Sequence, residues 1–600
     1  MSAITGIFRR DGRSLNQSEI KKMNDTLKHR GPDGYGIWHG DLVSLAHQML
    51  YTTTESLCEK LPFEDNDSGL VITADARIDN RKELSENLSI DDKEDIPDSF
   101  FILKAYEKWG EKCPERLLGD FAFAIWDKDK ERLFCARDHM GVKPFYYYLS
   151  DQAIFFATEM KALFVNPEVP SKLNDLKVAF HLMNVKTDKK LTFYKDIYTL
   201  SAACSLTVSK NSEKITKYWQ LDPKSRVIMN SDEDYFQAFN DIFTEAVNCR
   251  LRSVFPIGFE LSGGLDTSSV VCMARDIQSK DPTSKKDIKT FSMVFDGFPN
   301  VDESYYIKKV TDLSGVTSHM VSSDRISPLN NINKDFWNQE QPFHTPNMAL
   351  LYNLHRKMKD NGVRVLLIGT GGDQTVNLGR NYLKDLFISF KWQKLITELK
   401  GYSSNTKVSI RNLFFEQVIV PLIPIKLIKF IKKFLAFVEN DYYQQESCIL
   451  NQDFFERLGF RKNDHDLVKP KKAREYHYFV VNNISNQSIL EIRDKIASNF
   501  GIETRCPFYD KRLVEFCYSI PDEMKFKFGW NRYTQRMAME NILPKEVQWR
   551  PLKVFFNPVL ERNLLLFEKN LLEKIFSNTN PKIARYIDWD VIKKFYNEYK

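Results

Sequence analysis

Pro256-Ile257-Gly258-Phe259-Glu260-Leu261-Ser262-Gly263-Gly264-Leu265-Asp266-Thr267-Ser268-Ser269-Val270-Val271 is the stretch on which the reading of this chain turns. An apolar run enters a Ser-Gly-Gly turn, an Asp and a hydroxyl cluster follow, and a helical pattern opens at Val270. That order predicts a strand, a tight loop and a helix N-terminus. N–H groups left without intrahelical partners at a helix start favour anionic oxygens, and two glycines let the backbone approach them closely. Ser262, Thr267, Ser268 and Ser269 add hydroxyl donors. The loop reads as a pyrophosphate cradle, with Asp266 placed to hold a magnesium ion. No Gly-Lys-Ser/Thr follows, so it is not a Walker A loop, and the G-x-G-x-x-G spacing of dinucleotide sites is absent. The plainer alternative is a glycine turn capped by serines.

Working outward, 600 residues exceed a single core and predict two to four domains. A hydrophobic fraction of 42% and a charged fraction of 28% are those of a globular protein. A net charge of +6 spread over the chain gives no argument for nucleic acid. The cysteines fall at irregular spacings without a CxxC, which speaks against a zinc site and a disulfide framework. Their odd number, nine, and an N-terminus without a signal pattern predict a reducing, cytoplasmic setting. No uninterrupted apolar stretch is long enough to suggest a transmembrane helix.

The first two hundred residues carry short β runs, at 3–8, 42–50, 70–76, 122–126, 133–136 and 154–157, with helical spacing over Asp98–Trp109. That order suits a sandwich with helices on its outer faces. The loop His29-Arg30-Gly31-Pro32-Asp33-Gly34-Tyr35-Gly36 resembles the His-Arg-Gly-Pro-Asp-Gly-x-Gly loop of class II glutamine amidotransferases. The runs 74–81, 118–127, 136–147 and 156–163 are similarly close to that family. The opening loop at 262–268 resembles the Ser-Gly-Gly-x-Asp-Ser/Thr loop of ATP pyrophosphatases, which cleave ATP between the α and β phosphates. Together these motifs, in this order, identify the chain as a member of the asparagine synthetase superfamily. The resemblance implies an α/β protein of two domains. Residues 1–215 would form an Ntn-type αββα sandwich. Residues 226–600 would form a doubly wound parallel sheet with added helices, of which 380–480 follow the family least.

The departures from the family pattern carry as much as the matches. The family's nucleophile at position 2 is a cysteine, and here it is Ser2, a much weaker nucleophile without an activating base. Where the family holds glutamine with Asn and Glu, this chain has Asp75 and Arg77, which should unpair that ligand. The expectation is a retained fold that no longer hydrolyses glutamine, with His29 and Arg30 making local structural hydrogen bonds.

In the second half, Val363-Arg364-Val365-Leu366-Leu367-Ile368-Gly369-Thr370-Gly371-Gly372-Asp373 is another buried strand running into a glycine loop. The resemblance implies ATP held by Leu261, Ser262, Gly263, Gly264, Asp266, Thr267 and Ser268 of the first loop and by Ile368, Gly369 and Gly371 of the second. Met293 becomes a candidate adenine contact, although Met is equally a core filler. Asp373 would join Asp266 on Mg2+. Lys553, in Pro544-Lys545-Glu546-Val547-Gln548-Trp549-Arg550-Pro551-Leu552-Lys553, matches the lysine that opposes charge on the departing pyrophosphate. Thr370 stands where asparagine synthetases carry glutamate and β-lactam synthetases a tyrosine base, so the step after adenylation is changed. Residues 413–437, apolar with lysines and with Pro421 and Pro424, read as a broken pair of core helices or as an amphipathic surface for a partner or a membrane.

With no working glutaminase the amine comes with the substrate. The chain resembles lasso peptide cyclases most, in its Met-Ser-Ala-Ile start and its Gly-Gly-Asp in the second loop. That resemblance implies a ribosomally made precursor peptide as substrate, with a leader-binding protein and a leader peptidase as partners. The alternatives are a glutamine- or ammonia-using asparagine synthase, a β-lactam-synthetase-like ligase, and a binding module with a decayed site.

Overall fold

The computed structural model describes residues 2–91, 95–185, 190–280, 287–330, 332–342, 348–377, 381–423, 449–459, 470, 472–578 and 580–599. The N-terminal part builds two six-stranded antiparallel sheets. One contains β1 (Ala3–Arg9), β2 (Gly34–His39), β3 (Val43–Met49), β8 (Tyr146–Leu149), β9 (Ala153–Ala157) and β10 (Ile197–Thr199), in the order β10-β8-β9-β1-β3-β2. The other runs β12-β11-β7-β6-β5-β4, with β4 (Phe63–Asp65), β5 (Leu70–Ile78), β6 (Gly119–Asp127), β7 (Arg132–Arg137), β11 (Cys204–Ser209) and β12 (Glu213–Lys217).

The period-2 geometry of a strand makes four layers of these sheets. On β1, Ile4 and Phe8 join Val71, Ala124 and Leu133 of the opposite sheet, forming the core between sheets. Ala3 and Ile7, on the other side of β1, pack with Ile20 and Met23 of the helix Gln17–Asp25. On β5, Ile72 and Ala74 face Phe101 and Ile102 of the helix Asp98–Trp109. Each inner strand is buried on both sides, which is why β1, β3 and most of β5 read as near-continuous apolar or small-residue runs. The result is the αββα sandwich.

The second half is organised on a parallel sheet of five strands, β15-β14-β13-β16-β17. These are β13 (Ile257–Glu260), β14 (Ile288–Val294), β15 (Val316–Ser322), β16 (Val365–Leu367) and β17 (Glu503–Arg505). One face of the sheet packs Ile257, Phe259 and Leu367 against Phe239, Phe243, Val270, Val271 and Leu513 of three helices. The other packs Leu366 and Phe291 against Leu354, Met358, Leu490 and Ala497 of the helices Met348–Asp360 and Ile484–Ser498. Helices on both faces make the sheet doubly wound. Strand order reverses around β13, so the loops after β13 and β16 are neighbours at the carboxyl edge, where such sheets bind ligands.

The halves share a core. Val142 of the sandwich packs in the same apolar cluster as Leu366 and Ile368. Around it lies a set of buried charges, among them Arg137 to Glu491 at 3.0 Å, Lys143 to Glu503 at 3.4 Å and Arg250 to Asp510 at 2.9 Å. Within 380–480, the helices Asn381–Ile388 and Trp392–Thr406 form their own cluster with Leu413 and Val418. Pro421 sits in a short helical turn, Val420–Leu422, after a π-turn at Phe415–Ile419. Residues 424–437 of the amphipathic stretch lie outside the described residues. Among the described residues no helix is long and apolar enough to cross a membrane.

Candidate active site

β13 ends at Glu260, and residues 261–264 turn into the helix Leu265–Lys280. Gly263 has φ +70°, and a Cβ there would stand 2.8 Å from Cβ of Tyr306, so the turn needs glycine twice over. The loop is closed by its own hydroxyls: the Ser262 N–H donates to Thr267 Oγ1 at 3.1 Å, and the two hydroxyls lie 3.1 Å apart. The helix start therefore presents its first N–H groups on a rigid turn, next to two hydroxyls. The second loop seats directly against it. A Cβ on Gly369 would meet the Thr267 nitrogen at 2.7 Å, and one on Gly372 the Asp266 carboxylate at 2.4 Å. Gly371, at φ +103°, lies against the Tyr509 ring. The glycines of both loops are what let Asp266 and Asp373 come together.

Between these two acids lies the guanidinium of Arg532. It donates to Asp266 Oδ1 at 2.5 Å and pairs with Asp373 Oδ1. Asp373 Oδ2 accepts from Lys553 Nζ at 2.9 Å. Two carboxylates on adjacent loops, already gathered around a cation, form an oxygen donor set of the kind magnesium takes. The residues present fit the ion. Arg532 escaped the sequence reading because it follows a two-stranded hairpin (Phe526–Lys527 with Trp530–Asn531) far along the chain. Its one local signal is a left-handed backbone, φ +57°, which no residue pattern announces.

Arg550 ties the lysine segment to the first loop. It donates to Gly263 O at 3.1 Å, pairs with Glu303 and lies 4.1 Å over the Tyr306 ring. Burial raises the Glu303 carboxyl although Arg550 opposes the shift.

The other expected site residues are distributed as follows. Leu261 and Ile368 are buried in the cores of opposite sheet faces, so only their backbone is available to a ligand. Gly264 and Thr370 are half-buried on the two loops. Met293 is half-buried near the end of β14, beside the first loop's strand. Ser268 and Ser269, read from sequence as phosphate donors, turn inward instead: both are fully buried, and Ser269 Oγ accepts from Gln535 Nε2 at 3.1 Å. The helical turn carries them off the loop toward the core.

In the sandwich, Ser2 Oγ accepts from the Leu50 N–H at 3.1 Å. The sequence predicts Arg30 as a local loop anchor, and it is not one. It is fully buried and grips Asp494 of the other half with two bonds, 2.7 and 3.1 Å, and Glu159 at 2.8 Å. The expectation failed because the partner is distant in sequence. His29 lies 3.1 Å from Glu159. Arg77 pairs within the sandwich with Asp79 and Asp120, both at 2.8 Å. Asp75 holds Lys143 at 2.8 Å. Burial alone would lower the Lys143 ammonium, but Asp75 and Glu503 outweigh it and hold it above its usual value. Ser2, Asp75, Arg77 and Glu503 line one small pocket, together with Leu50, Thr52 and Glu55.

Comparison with known proteins finds two family matches that together cover nearly all of the chain. Residues 1–219 match the glutamine amidotransferase domain, and residues 238–600 match asparagine synthase. A putative glutamine-hydrolysing asparagine synthetase of Methanocaldococcus jannaschii is 32% identical over 399 residues, covering 62% of this chain and 75% of the relative. Asparagine synthetase 3 of Bacillus subtilis is 25% identical over 548 residues, 88% of this chain and 83% of its own. Asparagine synthetase 1 of the same organism is 26% identical over 594 residues, 95% and 89%. With more than half of its length inside that family match, and with the paired loops at the sheet's carboxyl edge, the chain belongs to the asparagine synthase family and is an ATP-dependent carbon–nitrogen ligase.

Proposed function

We propose that this ligase closes a macrolactam in a ribosomally made peptide, as lasso peptide cyclases do. The carboxylate of an Asp or Glu side chain attacks the α-phosphorus of ATP, pyrophosphate leaves, and the peptide's own N-terminal amine then displaces AMP to form an isopeptide bond. The observation that carries this reading is the altered glutaminase pocket. Ser2 stands at the nucleophile's position and accepts a bond from Leu50, and Asp75 and Arg77, where the family holds glutamine, are paired with Lys143, Asp79 and Asp120. A sandwich without the family's cysteine, and with its ligand-holding positions tied up in internal ion pairs, supplies no ammonia, so the amine arrives on the substrate.

ATP and magnesium are the usual cofactors of the family. Leu261, Ile368, Gly369 and Gly371 offer backbone, and Ser262, Gly263, Gly264 and Thr267 offer the phosphate cradle. Asp266 and Asp373 would hold the ion, which neutralises phosphate oxygens when bound. Lys553 and Arg532 bring positive charge to the place where charge develops on the leaving group, a large term in catalysis. Thr370 is a poor base. Tethering the amine to the acyl group compensates, since effective molarities for oriented groups reach on the order of 10⁵–10⁸ M.

The test is incubation with ATP, magnesium and a core peptide bearing a free N-terminus and an internal Asp or Glu. Loss of one water from the peptide, with stoichiometric AMP, is expected. Formation of asparagine from aspartate with ammonium or glutamine, and no peptide cyclisation, would overturn the proposal in favour of an asparagine synthase.

A further inference from the structure

We infer that Glu398 and Gly401, on the helix Trp392–Thr406, are positioning residues for Arg532: they clamp the hairpin turn that delivers its guanidinium between Asp266 and Asp373. This rests on the reading of Arg532 as a cation of the ATP site, and not on which amine the ligase uses. The turn is Lys527-Phe528-Gly529-Trp530, between the strands Phe526–Lys527 and Trp530–Asn531. Both of its central residues are left-handed, Phe528 at φ +53° and Gly529 at φ +75°, the sign pattern of a type I′ turn. Glycine takes that conformation freely and phenylalanine does not. Arg532, just beyond the second strand, is left-handed as well. A backbone strained at such positions persists only where its surroundings hold it. The Phe528 ring does not supply the hold, since it is 52% exposed.

The hold comes from the helix. Glu398 is 2% exposed, and its Oε2 accepts from the Gly529 N–H at 2.7 Å. One turn further along, Gly401 meets the hairpin backbone to backbone. A Cβ on Gly401 would stand 2.5 Å from Phe528 O, and one on Gly529 would overlap the Tyr402 nitrogen. Asn405 Nδ2 donates to the same Phe528 carbonyl at 3.1 Å. Residues 398, 401 and 405 lie at helical spacing, so one face of the helix grips the turn. At the start of the hairpin, Phe526 lies in the apolar cluster of the same helix, with Leu395, Leu399 and Tyr402. A buried carboxylate is costly unless its oxygens are met. Here the turn meets them: burial raises the Glu398 carboxyl, and the Gly529 and Phe528 N–H groups oppose that shift. The segment that follows the family least thus fixes the strained turn from which the chain runs, through Trp530 and Asn531, to Arg532.

The test is a double-mutant cycle. Glu398→Ala, Glu398→Gln and Gly401→Ala are each made in the wild-type and Arg532→Ala backgrounds. The Kd of a fluorescent ATP analogue is measured with magnesium, and the thermal midpoint in chelator. Arg532→Ala should weaken the analogue about tenfold. Glu398→Ala and Gly401→Ala should weaken it at least about threefold in the wild-type background and leave it unchanged in the Arg532→Ala background, the non-additivity of residues that act through one group. Glu398→Gln, whose amide oxygen still accepts from the turn, should recover most of the affinity. Gly401→Ala separates positioning from helix stability, because alanine is the better helix former. A purely structural role would lower the midpoint and leave the Kd alone. An unchanged Kd in Glu398→Ala and Gly401→Ala, or a loss of equal size in both backgrounds, overturns this proposal alone. An unchanged Kd in Arg532→Ala overturns the placing of Arg532 at the ATP site, and this proposal with it.

Discussion

Arg532 occupies the place between two acids that a magnesium ion would take, and removing it separates the two roles. In Arg532→Ala the carboxylates of Asp266 and Asp373 face each other with only Lys553, on the far oxygen of Asp373, as a counter-charge. The arm to Asp266 joins side chains that are each 12% exposed, so it counts near the full value of a charged hydrogen bond, about 2 kcal/mol. The arm to Asp373 ends on a carboxylate that is 41% exposed, and screening reduces it to under about 1 kcal/mol. A loss of roughly 2–3 kcal/mol follows, which for a domain of this size lowers the unfolding midpoint by on the order of 3–6 °C. The assay is differential scanning fluorimetry on wild type and variant, first in chelator and then across a magnesium titration. In chelator the variant should melt lower. As magnesium fills the gap the difference should shrink, since the ion binds only the folded site. A difference that does not respond to magnesium, or a variant as stable as wild type in chelator, would refute the pairing of these acids as a cation site.

Other predictions follow from the same geometry. Arg30→Met leaves Asp494 buried without its cation, while Glu159 keeps His29 and Lys161, and should cost about 3–5 kcal/mol in urea unfolding; a loss near zero would mean the tie between the halves contributes nothing. Gly369→Val drives a side chain into the backbone of Thr267, and should weaken binding of a fluorescent ATP analogue at least about tenfold, or ~1.4 kcal/mol. Ser2→Cys should not create a glutaminase, because Asp75 and Arg77, where the family holds glutamine, are paired with Lys143, Asp79 and Asp120; release of glutamate above background contradicts this. Burial would raise the Glu159 and Glu503 carboxyls, but His29, Arg30 and Lys161 around the first, and Lys143 and Arg505 around the second, hold both well below the ordinary 4.5. Their contribution to stability is therefore complete above about pH 4.5 and is lost as pH falls through their lower folded values. Urea midpoints measured from neutral to acid pH should drop steeply below about pH 4.5 in wild type and less so in Arg30→Met.

Much of the site is local and so was legible in the residues. A strand, a glycine turn and a helix start are encoded within 256–271, and Gly263 and Gly371 sit at positive φ where sequence placed loops. Asp266 and Asp373 follow those turns directly. The fold class was legible for the same reason, since runs of apolar residues bounded by turns mark strands whatever packs on them. Strands with little burial were not. β12 is almost wholly exposed and β15 mostly so, and a strand at a sheet edge has too few apolar residues to show a period.

By itself, then, the sequence determined the backbone geometry of both loops, the order of the two domains and the change at Ser2. Only the tertiary structure decided that Arg532, 266 residues from Asp266, stands between the acids, and that Arg30 reaches Asp494 across 464 residues. It also decided that Ser268 and Ser269 turn inward. The physical reason is range. Turn conformation and strand periodicity are settled by neighbours in sequence, whereas a charged or apolar side chain takes its partner from whatever the topology brings within reach.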